Sequence, residues 1–350
     1  MFVFVFHLGS AGVIGWPGGT PVQDAAYHLW ASLSYGVDMF FMISGFVILG
    51  SLLRHDSVGD FLQDRAIRIF SAWVPAVIAV AIVCVAFKLK MFADVTLSEG
   101  MLIFVANLLL LPPLVPLPLL HIGSWSLTYE WVFYLTAAAG ALAYRRAPGS
   151  VWATAFWAIP ATLFICMYPR ALYFVTGVLV FKYRDWLALH SRWFKWPFVS
   201  LIVFLVAWRT LDTGHEHEGS TFIDFLGDGR WMIALLAFVA SLHLFTCVCL
   251  NSSRQVAFLN GPLFQFLGRI SYSLYLWHVL AMSVTKRFAS GIVSPELGPA
   301  AGFVIFALSS LAISIPLSWL SWKLFETIVA RRIRQALHRR AVPVTAVSVP

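Results

Sequence analysis

His7 in MFVFVFHLG, Asp38 in YGVDMFFMISGFVILG, Glu130 in WSLTYEWVFYL and His278 in ISYSLYLWHVL each stand inside a run of otherwise apolar residues. Arg65 and Arg68 form an R-x-x-R spacing just ahead of another such run. A charge in the bilayer interior costs several kcal/mol, so ionisable residues there are rare and mostly face a protein-lined cavity. Several of them together imply a polar reaction chamber inside a helical bundle. An enzyme or a transporter needs such a chamber, and a simple anchor does not.

Each residue has a chemistry and a plainer alternative. A neutral imidazole at His7 can accept a proton from a hydroxyl or carry a transferred group covalently; a histidine hydrogen-bonded within the bundle fits the position too. Arg65 and Arg68, three residues apart, share one helix face. Their planar forks suit phosphate groups, although ordinary cytoplasmic anchoring places cations at the same boundary. Glu130 can orient a histidine, stabilise an imidazolium or bind substrate hydroxyls, and a structural ion pair uses it equally well. Trp125 and Tyr129, one turn apart, suit stacking on a sugar ring, as they suit an interfacial aromatic belt. Asp38 either pairs with His7 or stabilises the start of its own helix, and Ser44-Gly45 reads as close helix packing. Ser271, Tyr275 and His278 fall on one helix face, lining the chamber or bonding to a neighbouring helix. His215, Glu216, His217 and Glu218 cluster in a loop without further ligand spacing. Cys84, Cys166, Cys247 and Cys249 show no metal or redox spacing. No metal site is expected.

The elements that must position these residues are legible from composition. The 350 residues are 60% hydrophobic and 11% charged, against roughly 25% charged in soluble domains. The chain is therefore expected to be an all-α, multi-pass membrane bundle. About ten spans are expected, near 1–15, 33–53, 70–88, 124–144, 150–167, 168–186, 196–211, 230–250, 267–288 and 299–325. The short apolar run ahead of Pro112, Pro113, Pro116 and Pro118 predicts a re-entrant hairpin near 99–120. With both termini cytoplasmic, 17 of the 24 basic residues face the cytoplasm, in line with the positive-inside bias. The net charge of +8 thus orients helices in a lipid bilayer and does not indicate nucleic-acid binding. Residues 1–325 form the embedded domain and 326–350 a basic cytoplasmic tail. Oligomeric state is not legible.

Four segments, in order, carry a family resemblance: His7 near the end of the first helix with YGVDMFFMISGFVI, then DRAIRIFSAW, then WSLTYEWVFYL, then GRISYSLYLWHVL. Together they resemble the acyltransferase-3 family, membrane enzymes that acylate hydroxyls on sugars and related acceptors. The resemblance implies acyl-CoA, most commonly acetyl-CoA, as a donor substrate bound by Arg65 and Arg68, with no tightly bound cofactor. It implies His7 as the catalytic residue and carries over Glu130; placement alone puts Asp38 in support, and Trp125, Tyr129, Tyr275 and His278 towards the substrate. A carbohydrate of the cell envelope, exported polysaccharide or lipopolysaccharide is the acceptor it points to, at a bacterial inner membrane. Where the family has two consecutive acids, this chain has Glu130 followed by Trp131.

The family also places a cation eleven residues before its first-helix histidine, and only six residues precede His7. Eleven helical residues rise about 16 Å, so such a cation would sit at the cytoplasmic surface. The short first span and the missing cation together lead us to expect that the true first helix starts upstream of Met1. The stretch also lacks the basic region and cleavage site of a signal peptide. Two other functions stay open. An acceptor that is lipid-linked or a secondary metabolite changes only the substrate, and a transporter should show repeated halves or paired broken helices, which the sequence does not display.

Overall fold

The computed structural model describes residues 1–13, 20–86, 95–211, 220–250, 254–293, 296 and 298–341. The His215–Glu218 cluster lies outside the described residues. Among those described, all regular secondary structure is helical. In order, the main helices are α1 (Phe2–Ser10), α2 (Pro21–Ala31), α3 (Gly36–Arg54), α4 (Val58–Ala86), α5 (Leu97–Leu108), α6 (Ser124–Arg146) and α7 (Val151–Met167). They continue as α8 (Leu172–Lys182), α9 (Pro197–Arg209), α10 (Trp231–Cys249), α11 (Pro262–Phe288), α12 (Pro299–Ser321) and α13 (Ala330–Ala341), with a π-helical stretch, Trp322–Val329, joining the last two.

Local chemistry sets many of the helix starts. Pro197, Pro262 and Pro299 open α9, α11 and α12, where the missing N–H is one the helix could not have paired anyway. Thr96 and Glu99 form a reciprocal capping box at α5. Among the described residues, four stretches are long and apolar enough to cross a membrane by length and composition: Ala26–Arg54, Val58–Ala86, Trp231–Cys249 and Ala300–Leu337. Leu97–Leu108, Val151–Met167 and Pro197–Arg209 are apolar but shorter. α6 and α11 have 23 and 27 residues, yet neither meets the apolar standard. Their polar side chains are the reason: α6 carries Ser124, Ser126, Thr128 and Glu130, and α11 carries Arg269, Ser271, Ser273 and His278.

Two helix boundaries differ from the sequence expectation, and the segment expected to form a hairpin takes a defined path. The span expected from residue 70 begins at Val58, so Arg65 and Arg68 lie within α4 and not at its entrance. The proline-rich segment is helix α5 followed by an irregular return to α6. Asn107, fully buried, ties that return down by donating to the Ile103 and Pro118 carbonyls and accepting the Leu120 N–H, each at 2.9 Å. Backbone groups that prolines free from helical pairing need such partners in an apolar setting. Finally, the helix expected to end at 325 continues through the π-helical stretch to Ala341, and Arg334 Nε donates to Asp64 at 2.9 Å.

The tightest packing joins α3 to α8. A Cβ on Gly45 would lie 2.1 Å from the Phe174 carbonyl oxygen, and one on Gly177 would lie 2.0 Å from that of Met42. Both obstacles are backbone, so only parting the helices could make room. Gly45→Val or Gly177→Val should therefore lower the thermal midpoint of the detergent-purified protein, with overpacking costs at or above the usual ~1–3 kcal/mol. Gly227→Ala, with nothing within 4 Å of its new methyl, should leave the midpoint unchanged. Equal midpoints for all three variants would contradict this packing.

Candidate functional site

Two histidines from opposite ends of the chain meet. The rings of His7 on α1 and His278 on α11 lie 5.2 Å apart, centroid to centroid. His7 is half-buried, whereas His278 is 2% exposed. His278 Nδ1 lies 2.8 Å from the Leu274 carbonyl oxygen one turn back. A carbonyl can only accept, so Nδ1 carries the proton and Nε2 keeps its lone pair. Beside the pair opens a cavity of about 470 Å³ between α1, α3 and α11. Phe2, Phe4, Val37, Phe40 and Leu267 make it mostly apolar, while Ser271, Tyr275 and His278 supply its polar groups.

One turn before His278 on α11, Tyr275 reaches α6. Tyr275 donates to the Gly123 carbonyl at 3.0 Å and meets the Ser126 hydroxyl at 2.8 Å. Ser126 stands one turn before Glu130. The Glu130 carboxylate is buried and accepts hydrogen bonds from Ser44 on α3 at 2.8 Å and from Tyr134. The cations acting on it are Arg68 and Arg65 of α4. Arg68 is exposed, and Glu130, Glu326, Tyr134 and Tyr272 surround its guanidinium electrostatically. Glu326 is held by Ser273 at 2.6 Å. Arg65 pairs with Asp64 at 2.5 Å, while its Nε has no hydrogen-bond partner among the described residues.

Asp38 belongs to a different arrangement. Arg170 grips it with two bonds, Nε to Oδ1 at 3.0 Å and Nη2 to Oδ2 at 2.6 Å. Both partners are buried, at 0% and 3% exposure. The guanidinium also lies over the rings of Trp125 at 4.6 Å and Tyr35 at 5.4 Å. Trp125 in turn packs against Phe41 and Tyr129, and Tyr129 against Phe164 and Tyr168.

The sequence-predicted residues therefore divide. His7, Tyr275 and His278 come together at the cavity, and Arg65, Arg68 and Glu130 form a second cluster linked to it through α6 and α11. The expected pairing of Asp38 with His7 is corrected: a buried carboxylate takes the strongest cation within reach, and Arg170 reaches it from the 3-10 turn, Pro169–Ala171, that leads into α8. Trp125 and Tyr129 are buried in an aromatic core, so the stacking platform expected for a sugar is a packed wall behind the site. The sequence reading missed Glu326, Arg170, Ser126 and Tyr134. Arg170 was detectable as a lone charge in an apolar run, CMYPRALYF, and Glu326 as the one acid in KLFETIV; Ser126 and Tyr134 carried no signal beyond their motif. Among the described residues, no group of three or more His, Cys, Asp or Glu is placed to hold a metal ion.

An apolar helical bundle enclosing neighbouring histidines, a buried carboxylate and two arginines defines a membrane protein with a polar interior. The chain belongs to the acyltransferase-3 family: the acyltransferase domain matches residues 1–319. It is thus an acyltransferase for groups other than amino-acyl groups. Among its relatives, the exopolysaccharide production protein ExoZ of Rhizobium meliloti (strain 1021) is 28% identical over 335 residues, covering 87% of this chain and 94% of that protein. The acyltransferase MdmB of Streptomyces mycarofaciens is 29% identical over 119 residues, 33% of this chain and 30% of its own. No solved structure matches.

The Asp38–Arg170 pair yields a stability test. Breaking a buried pair by removing one partner strands the other charge, at a typical cost of about 3–5 kcal/mol. Asp38→Leu and Arg170→Met should each lower the thermal midpoint sharply in detergent. The double variant should recover much of the loss, because neither charge remains to be solvated. A double variant as unstable as the sum of the singles would show that the pair is not a coupled unit.

Proposed function

We propose that this protein is an inner-membrane O-acyltransferase that moves an acyl group, most simply acetyl, from acyl-CoA to a hydroxyl of an exported or cell-envelope polysaccharide. The observation that carries the proposal is the meeting of His7 and His278 beside an open cavity, with Tyr275 of the same helix bonded to α6, the helix that carries Glu130. Ten spans with both termini cytoplasmic give the arginines cytosolic access, and the asymmetry of basic residues favours that topology. Arg65 and Arg68 bind the coenzyme A phosphates, with Arg65 paired to Asp64 and Arg68 in the field of Glu130 and Glu326. His7 works at the acyl group, as base or as carrier. Glu130 anchors the chamber wall between donor and acceptor. The polysaccharide acceptor is supported by the ExoZ relative, whose name places it in exopolysaccharide production.

His7→Ala should abolish acylation of the acceptor while leaving membrane insertion intact. A lost base or acyl carrier removes a chemical step, whereas an alanine is readily accommodated in an apolar helix. Acylated polysaccharide measured beside protein abundance decides the matter, and normal product at normal abundance would remove His7 from the reaction.

The donor site has its own test. Replacing Arg65 and Arg68 together with Lys keeps the charge but loses the planar fork. Each charge-assisted hydrogen bond lost is worth on the order of 1.5–3 kcal/mol, so acyl-CoA affinity should fall by roughly one to several orders of magnitude. Calorimetry on purified protein, with a topology reporter alongside, measures this. Unchanged affinity would mean that the two arginines serve only to hold α4 in place.

A further inference from the structure

His278 has one nitrogen occupied and one idle. Nδ1 donates to the Leu274 carbonyl at 2.8 Å, and Nε2 is buried with no hydrogen-bond partner among the described residues. Leaving a buried polar atom unpaired costs roughly 1–3 kcal/mol. An apolar side chain of similar size would pack between Phe4 and Tyr275, whose rings lie 5.8 and 6.1 Å away, without that penalty. Packing alone therefore does not account for an imidazole here. The ring also lines the cavity and neighbours His7 at 5.2 Å. Its Nε2 lone pair is enclosed in the cavity wall and unspent on any described residue.

We infer that His278 is the base that removes the proton from the acceptor hydroxyl, through Nε2, with His7 beside it at the acyl group. This rests on the acyl-transfer function proposed above. The hydroxyl oxygen attacks the acyl carbonyl carbon and forms the ester bond, while its proton passes to Nε2. The bond between that carbon and its carrier breaks, and the departing atom takes the proton back from the imidazolium. The balance is the same whether that atom is the sulfur of the thioester or a ring nitrogen of an acylated His7. The Leu274 carbonyl does two things in this step. It fixes the tautomer that leaves Nε2 basic, and it stabilises the positive ring that forms, as the buried carboxylate does in a serine-protease triad. Exclusion of bulk water from His278 strengthens both effects.

The test uses inverted membrane vesicles of the native host carrying each variant as sole copy, supplied with radiolabelled acetyl-CoA. Alkali-labile label in polysaccharide is counted. His278→Gln keeps a donor for Leu274 but has no base, and His278→Ala opens a ring-sized space beside the cavity. Both should lower transfer on the order of 10²–10⁴-fold, the usual contribution of a general base. Added imidazole should restore His278→Ala by at least about tenfold while leaving His7→Ala inactive, a rescue typical of a replaced base. Activity of His278→Gln within about threefold of wild type overturns the assignment alone, as does a His278→Ala loss that imidazole does not relieve. A wild-type protein that transfers no label overturns the acyl-transfer proposal beneath it and the base assignment with it.

Discussion

Inside an apolar bundle every ionisable group must find its counterpart in the protein, because neither lipid nor bulk water will serve. The Asp38–Arg170 pair is the strictest case, since both members are almost fully enclosed and joined by a two-pronged bond. It links α3 to the turn that leads into α8, and those two helices meet at Gly45 and Gly177. It also brings the guanidinium over Trp125 at the start of α6. Three helices are thereby fixed in rotation as well as in contact. The rotation of α3 then decides where Ser44 points, and Ser44 bonds Glu130.

The polar interior is thus two systems with different duties. Around Arg170 the two charges are spent on each other, which gives rigidity. Around Arg68 and His278 they are less fully answered. Arg68 stays exposed, and His278 keeps an idle nitrogen. Such unspent capacity costs stability, and a fold tolerates it where a substrate will use it. The same logic separates the buried histidines. His121, although 3% exposed, bonds at both nitrogens to Gly123 N and the Leu276 carbonyl and so has a structural part.

α11 is the element that connects the two halves of the site. Tyr272 bonds the Ile69 carbonyl on α4, Ser273 reaches Glu326, Tyr275 reaches α6 and His278 meets α1. Four neighbours are contacted within two turns. One helix can do this because its residues project around the whole circumference, and α11 is polar on more than one side. That is also why it fails a hydropathy test despite its length.

Composition and hydrophobic runs alone determined that the chain is helical and built for a bilayer, because satisfying every backbone group in lipid leaves few alternatives. Isolated ionisable residues in apolar runs marked His7, Asp38, Glu130 and His278, since a charge there needs a reason. The motif order, from YGVDMFFMISGFVI to GRISYSLYLWHVL, marked the family. Partnership was not legible, because it depends on helix rotation and crossing, and these are set by contacts between residues far apart in the chain. Asp38 and Arg170 are separated by 132 positions, Ser44 and Glu130 by 86. Only the tertiary structure could assign Asp38 to Arg170 and not to His7, or turn Trp125 and Tyr129 into a packed wall. Only it could bring Glu326 from the edge of an apparent tail into the chamber beside Arg68. Each apolar run announced a helix, but the choice of which polar side chain meets which was made by the close approach of backbones at glycines and by the demand that every enclosed charge be answered.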